Sequence, residues 1–60
     1  MDIIAHNERT GEKSVLGQYP TVPIPRKNEV IYLKNGQMVT CDEVRYHYDR
    51  NFISIHYYGG

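Results

Sequence analysis

A chain of 60 residues forms one small domain at most, and at this size folding buries only about 60% of the surface that the unfolded chain exposes. Its 7 lysines and arginines balance its 7 aspartates and glutamates, so no overall charge draws it onto a nucleic-acid backbone. The single cysteine, Cys41, excludes an intrachain disulfide and the usual cysteine-based zinc frameworks.

The first 18 residues predict an N-terminal hairpin or an arm. Residues 3–8 and 13–18 can pair around Thr10-Gly11, although their apolar alternation is weak. Residues 19–28 follow as a proline-rich connector, in which three prolines remove backbone donors and favour extended, polyproline-like geometry. Val22 and Ile24 alternate with these prolines, so the segment could also be an arm that crosses a neighbouring subunit.

Asn35-Gly36 is the clearest local signal in the chain. It lies between two apolar segments, residues 29–34 and 37–41, and this dipeptide is typical of a two-residue type I′ hairpin turn. In that register Leu33 faces Met38. The two predicted faces are Val30, Tyr32, Val39 and Cys41 on one side, and Ile31, Leu33 and Met38 on the other.

Apolar and polar side chains alternate through residues 43–58 on either side of the turn-like residues 49–51, and this pattern predicts a second hairpin. An even connection with Tyr48 opposite Ile53 is preferred, because an odd one would mix charged and buried side chains. One face then carries Val44, Tyr46, Tyr48, Ile53, Ile55 and Tyr57, and the other carries Arg45, His47, Ser54 and His56. Asp42-Glu43 predicts a bend where one long strand passes from one sheet to the next.

These elements predict one all-β domain of about five strands, because no stretch of a dozen residues has a helical apolar repeat. We expect a small antiparallel sheet or an SH3-like barrel with a proline-rich connector or arm. Its parts are the hairpin or arm at 1–18, the connector at 19–28 and a three-strand meander at 29–58.

The polar face of the second hairpin carries the candidate ligand-binding residues. Arginine and histidine beside tyrosine can hold a phosphate while a ring stacks on a base. A solvated outer sheet face is the plainer interpretation of each residue taken singly. The predicted ligand contacts are Arg45, His47, Ser54 and His56, with Tyr58 at the margin and Arg26 after the prolines.

The sequence specifies no reaction. His47 and His56 share a face but are not an adjacent ligand pair in the preferred register, and with His6 they are read as solvated histidines rather than metal ligands. Cys41 is expected to pack as a small hydrophobe. The scattered glycines form no phosphate loop. We therefore expect neither an enzyme nor a bound cofactor or metal.

The motifs of residues 23–58, taken in order, resemble small proteins encoded by phages and mobile elements, with SH3-like or strongly bent sheets. The resemblance rests on Pro25-Arg26, residues 29–33, Asn35-Gly36, Val44-x-Tyr46-x-Tyr48-Asp49 and Ile53-x-Ile55. Some of those proteins sequester nucleotide signals of bacterial immunity, and others block a host protein. The resemblance implies a non-enzymatic antagonist of host defence that binds a small anionic or nucleotide-type ligand, or alternatively docks on a host or virion protein.

Two further expectations concern location and assembly. The longest uninterrupted apolar run, residues 30–33, is too short for a bilayer, and residues 1–4 do not resemble a secretion signal. We expect a cytoplasmic protein without membrane contact. The thin core predicts a homo-oligomer, most simply a dimer, with the ligand bound between subunits.

Overall fold

The computed structural model describes residues 1–59, which form six strands arranged in two sheets. The four-stranded sheet has the order β2-β1-β6-β5, and β3 pairs with β4 in a separate two-stranded sheet. The all-β prediction is confirmed. Within residues 1–59 there is no helix of a length and apolarity that would cross a membrane. The strands are β1 (Asp2–Asn7), β2 (Lys13–Gln18), β3 (Val30–Tyr32), β4 (Met38–Thr40), β5 (Glu43–His47) and β6 (Phe52–Tyr57).

The first hairpin forms as predicted, with β1 antiparallel to β2. Asn7 closes its turn, because its Oδ1 accepts the backbone N–H of Arg9 at 2.9 Å and its carbonyl accepts that of Gly11 at 2.7 Å. The same Oδ1 accepts the N–H of Gly59 at 3.2 Å, so one buried amide ties the turn to the end of the described chain.

β1 also pairs in parallel with β6, the last strand, and this ladder is the centre of the sheet. Ile3 lies beside Ile53 and Ala5 beside Ile55, all four fully buried. The sheet is therefore mixed rather than antiparallel, and it stays open rather than closing into a barrel. This parallel ladder pairs residues that are 50 positions apart in the chain, so no turn motif in the sequence indicates it.

The predicted register of the Asn35-Gly36 hairpin is wrong by one residue. Gly36 N–H donates to the carbonyl of Leu33, and Leu33 N–H donates to that of Gln37, both at 2.9 Å. Gly36 alone in the loop has positive φ, at 88°. This is a three-residue loop in which a type I turn precedes a left-handed residue, so Tyr32 pairs with Met38 instead of Val39.

The one-residue shift re-sorts the faces of this hairpin, because alternate strand residues point to opposite sides. Leu33 and Val39 are buried and Ile31 is half-buried, all packed on the interior. Val30, Tyr32 and Met38 point outward, with 54%, 71% and 61% of their surfaces exposed. The hairpin thus covers the large sheet with one apolar face and leaves the other uncovered.

The core lies between the two sheets. One cluster comprises Ile3, Cys41, Ile53 and Ile55, and the other comprises Ala5, Leu33, Val39 and Tyr57. Val22 and Ile24 of the proline-rich segment pack against the first cluster of their own chain. The segment is a connector in this structure, and its apolar side chains serve its own core rather than forming an extended arm.

The predicted bend near Asp42 is confirmed. β4 ends at Thr40 in the small sheet, and β5 begins at Glu43 in the large one. Asp42 N–H donates to the carbonyl of His56 at 2.8 Å, which attaches the chain to β6 as it enters the large sheet. One long predicted strand is thereby divided in two, which accounts for six strands where about five are predicted.

Candidate functional site

The pairing of β5 with β6 places the residues of the second hairpin on the two predicted faces, but β5 is shifted by two residues along β6 relative to the predicted register. Tyr46 lies opposite Ile53, where Tyr48 was predicted, and the parity is unchanged. Arg45 therefore lies directly opposite Ser54, and His47 opposite Phe52. The rings of His47 and Phe52 stack with centroids 4.2 Å apart and planes within 8°.

Four side chains on the outer face of the large sheet form a continuous hydrogen-bonded series, here called the Glu8 relay. Ser54 Oγ lies 2.9 Å from His47 Nε2 and 2.8 Å from His56 Nε2. The other ring nitrogen of His56, Nδ1, contacts Glu8 Oε1. The two histidines are not cross-strand partners, yet a serine between them links both rings to one carboxylate.

Backbone pairing delivers Glu8 to this place. Glu8 N–H donates to the carbonyl of Tyr57 at 2.8 Å, which extends the parallel ladder one residue beyond β1. In that ladder His6 is the partner of His56, so their side chains share a face, with ring centroids 4.9 Å apart. All three histidines of the chain thus lie on one side of the sheet.

The centre of this face is buried rather than solvated. Ser54 is 0% exposed and His56 is 5% exposed, whereas His6 and His47 on either side are half-buried. Burial and the neighbouring His56 lower the pKa of His6, so desolvation keeps this ring uncharged to lower pH than a free histidine.

Glu8, His56 and Ser54 are connected in the order of the acid, base and nucleophile of serine hydrolases. The site lacks what such a nucleophile requires. Ser54 Oγ is buried, and His47 Nε2 already occupies its second side. An electrophile therefore has no approach to the hydroxyl, and the arrangement orients imidazole rings instead of presenting a reactive serine.

The opposite side of β5 carries a groove of about 620 Å³, here called the β5 groove. It runs between the end of the proline-rich connector and the edge strand. Arg26 lies here, away from the histidines. The side chains of the groove are those of Ile24, Pro25, Arg26, Lys27, Asp42, Glu43, Val44 and Tyr46.

An exposed aromatic pair continues the groove along β5. Tyr46 and Tyr48 are 50% and 80% exposed, and their rings stack with centroids 6.1 Å apart. A free tyrosine face beside cationic side chains suits a planar ring bearing a negative charge.

Glu43 and Arg45 form an exposed ion pair between the groove and the relay. The Arg45 guanidinium holds the pKa of the Glu43 carboxyl below its usual range. At the far wall, Glu29 Oε1 accepts the backbone N–H of Arg26 at 2.5 Å, which fixes the turn that presents this arginine. The Glu43–Arg45 ion pair on one side of the groove and the hydrogen bond between Glu29 and Arg26 on the other therefore restrain the residues that border it.

Of the six predicted contact residues, three lie in the relay and Arg45 lies beside it. Arg26 lines the β5 groove, and Tyr58 lines a separate cleft of about 390 Å³ near Cys41. Sequence reasoning missed Glu8, Lys27 and Tyr46. The position of Glu8, two residues after His6 and on the same side of the strand, is a signal for the first.

The candidate metal ligands and the thiol of Cys41 do not form a metal site or a nucleophilic site in residues 1–59. Over the described residues 1–59, no three or more histidine, cysteine, aspartate or glutamate side chains are grouped to hold a metal ion. Cys41 is fully buried in the core, and burial raises the pKa of its thiol. A protonated, enclosed thiol is a poor nucleophile.

Searches for a matching family model, a similar curated protein and a similar solved structure find no match.

Proposed function

We propose that this protein binds a small anionic ligand of nucleotide type in the β5 groove and releases it chemically unchanged. The β5 groove carries the proposal, because Arg26, Lys27 and Tyr46 bring two cations and an exposed ring to one ligand-sized cleft. Its volume of about 620 Å³ lies within the range of small-molecule sites.

The charges of the groove favour an anion. Arg26 and Lys27 take part in no ion pair among residues 1–59, whereas Glu43 is paired with Arg45. Asp42 is the other acid among the lining residues, and Glu29, which does not line the groove, directs its Oε1 to the backbone N–H of Arg26. Within the described chain, two unpaired cations of the lining therefore face one unpaired carboxylate. A phosphate on Arg26 gains a charge-assisted and potentially bidentate contact.

Tyr46 supports the nucleotide character of the ligand. Tyr48 stacks on Tyr46 and stabilises the orientation of its ring, and a base stacked on such a ring gains about 1–3 kcal/mol. Val44 and Ile24 add apolar surface beneath it. The lining of the groove contains no serine, threonine or cysteine, and the Ser54 hydroxyl of the relay is enclosed, so binding without turnover fits the arrangement better than hydrolysis.

The biological role follows from the resemblance to phage-encoded proteins. Tight binding of a nucleotide signal of bacterial immunity would remove it from its receptor, and the protein would then act as an antagonist of host defence in the cytoplasm. Mass action alone suffices for this role when the protein is in excess of the signal.

Isothermal titration calorimetry with a panel of linear and cyclic nucleotides tests the proposal. We expect one saturable ligand, a loss of at least about tenfold in affinity for Arg26→Ala or Tyr46→Ala, and intact ligand recovered afterwards. Matched controls are Arg9→Ala and Tyr19→Ala, which remove an exposed arginine and an exposed tyrosine that do not line the groove. Flat titrations throughout, or equal losses in the controls, would contradict it.

A second candidate is a protein-interaction module, favoured by the free edge of β5. As the last strand of its sheet, β5 has one row of backbone groups without a strand partner among residues 1–59. A host protein or a second copy of the chain could add a strand there. The homodimer expected from the sequence belongs to this second candidate, with the two copies pairing along the edge of β5. Light scattering coupled to size exclusion measures it, and a pull-down that captures a stoichiometric protein without a nucleotide would favour this candidate over the first.

A further inference from the structure

We propose that the outer face of the large sheet holds a second site, independent of the β5 groove, that binds a tetrahedral oxyanion through His47 and Arg45 and takes up one proton with it. The proposal rests on the hydrogen positions that the Glu8 relay imposes on its rings.

The relay has one arrangement of hydrogens when both rings are neutral and Glu8 is ionised. The carboxylate accepts the Nδ1–H of His56, which leaves His56 Nε2 as an acceptor for the Ser54 hydroxyl hydrogen. Ser54 Oγ in turn accepts from His47, so the proton of that ring lies on Nε2. His47 Nδ1 is left with a free lone pair.

That nitrogen reaches solvent. His47 Nδ1 has no hydrogen-bond partner among residues 1–59, and no partnerless side-chain nitrogen or oxygen in this part of the chain is buried. The ring is fixed by Phe52 on its face and by Ser54 at Nε2. His47 is therefore the open end of the relay.

A proton added to His47 Nδ1 leaves every bond of the relay unchanged, because Nε2–H continues to donate to Ser54. A proton on His56 Nε2 would turn the Ser54 hydroxyl toward His47 Nε2, and the hydrogen of His47 would then again lie on Nδ1. Proton uptake by the relay therefore places a hydrogen on His47 Nδ1 in either case.

The charges around His47 decide which ligand follows the proton. Arg45 lies two residues earlier on the same face of β5, about 7 Å along the strand, and a tetrahedral oxyanion can span that gap with charge-assisted hydrogen bonds at both ends. Glu8 stabilises the imidazolium through the relay. The other charged groups of this face are Asp2 on β1, which is the ladder partner of Phe52, Lys13 on β2, and Glu43, which is paired with Arg45.

The tautomers are measured directly by long-range proton–nitrogen NMR of the full chain at pH 8. We expect the Nε2–H form of His47 and the Nδ1–H form of His56. The opposite tautomer of His47 would overturn the proposal, whatever the groove binds.

Binding is measured by titrating sulfate against chloride at matched ionic strength, since sulfate keeps its charge over this range. We expect saturable shifts at His47 and Arg45 with sulfate only, with binding at least about tenfold tighter at pH 6 than at pH 8 because the anion and the proton bind together. The Glu8→Gln variant should weaken binding at pH 6, and the control Glu12→Gln should not. Shifts of equal size with chloride, or no pH dependence, would overturn the proposal. Arg26→Ala leaves this site intact and so separates it from the groove.

Discussion

Removal of the Ser54 hydroxyl should be among the most damaging polar substitutions in this protein. In Ser54→Ala, His56 Nε2 loses the one hydrogen-bond partner that it has among residues 1–59, in a residue that is 5% exposed. A buried acceptor left unsatisfied costs about 1–3 kcal/mol. A domain of 60 residues has a total stability of about 3–9 kcal/mol, so this single hydroxyl accounts for a substantial part of it.

Urea unfolding followed by circular dichroism and tyrosine fluorescence measures the loss as a lower midpoint at unchanged slope. The matched control is Ser14→Ala, a half-buried serine on β2, which should change stability by less than about 0.5 kcal/mol. Combining Ser54→Ala with Glu8→Gln should be non-additive by about 0.5–3 kcal/mol, because both belong to one relay. If Ser54→Ala matched the wild type in stability, the relay would not be an enclosed network.

Three further outcomes are expected. The thiol of Cys41, whose pKa is raised by burial, should react with a disulfide reagent only when urea unfolds the chain; rapid labelling of the native protein would contradict this. Stability should fall as the pH drops below about 6.5, since the lowered pKa of His6 makes the unfolded state bind the proton first, and His6→Gln should reduce that fall in urea titrations from pH 7.5 to 5.5. Gly17→Ala should destabilise by about 1–3 kcal/mol, because φ is 152° and the new Cβ would lie 2.5 Å from Val22 Cγ2; thermal melts should show partial rescue by Val22→Ala.

Alternation was sufficient to predict the faces of β5 and β6. Ile53 and Ile55 can be buried only if Ser54 and His56 point the other way, and this parity holds under any slide by two residues. The actual slide depends on the four-residue connection, in which Asn51 takes a positive φ of 60°. The predicted pairing of Tyr48 with Ile53 leaves a connection of the same length, residues 49–52, so sequence alone did not distinguish the two positions of the turn.

The Asn35-Gly36 hairpin shows how a small error in a turn changes a surface. Both the predicted and the observed loops place glycine at a left-handed position, so the dipeptide is compatible with either. The difference of one residue exchanges Val39 with Met38 between core and solvent. Residues 30–33 are apolar on both faces of the strand, so the hydrophobic pattern did not distinguish the predicted register from the observed one.

The relay could be predicted only in part. His47, Ser54 and His56 follow from alternation within one hairpin, whereas Glu8 reaches them through the parallel ladder of β1 and β6. That pairing depends on contacts distant in sequence. The β5 groove was likewise unpredictable from the sequence, because it forms where the connector that carries Arg26 passes the edge strand that carries Tyr46.

The parallel ladder between the first and last strands also has a consequence for biosynthesis. Until the ribosome has released residues 52–57, β1 lacks its partner on one side, and half of the core has nothing to pack against. Folding must therefore await the translation of β6, and the high sequence separation of these contacts slows it further. A nascent chain would meanwhile expose Ile3 and the apolar residues beside it to chaperones. We therefore expect the yield of folded protein to depend on chaperone levels more strongly than its small size suggests.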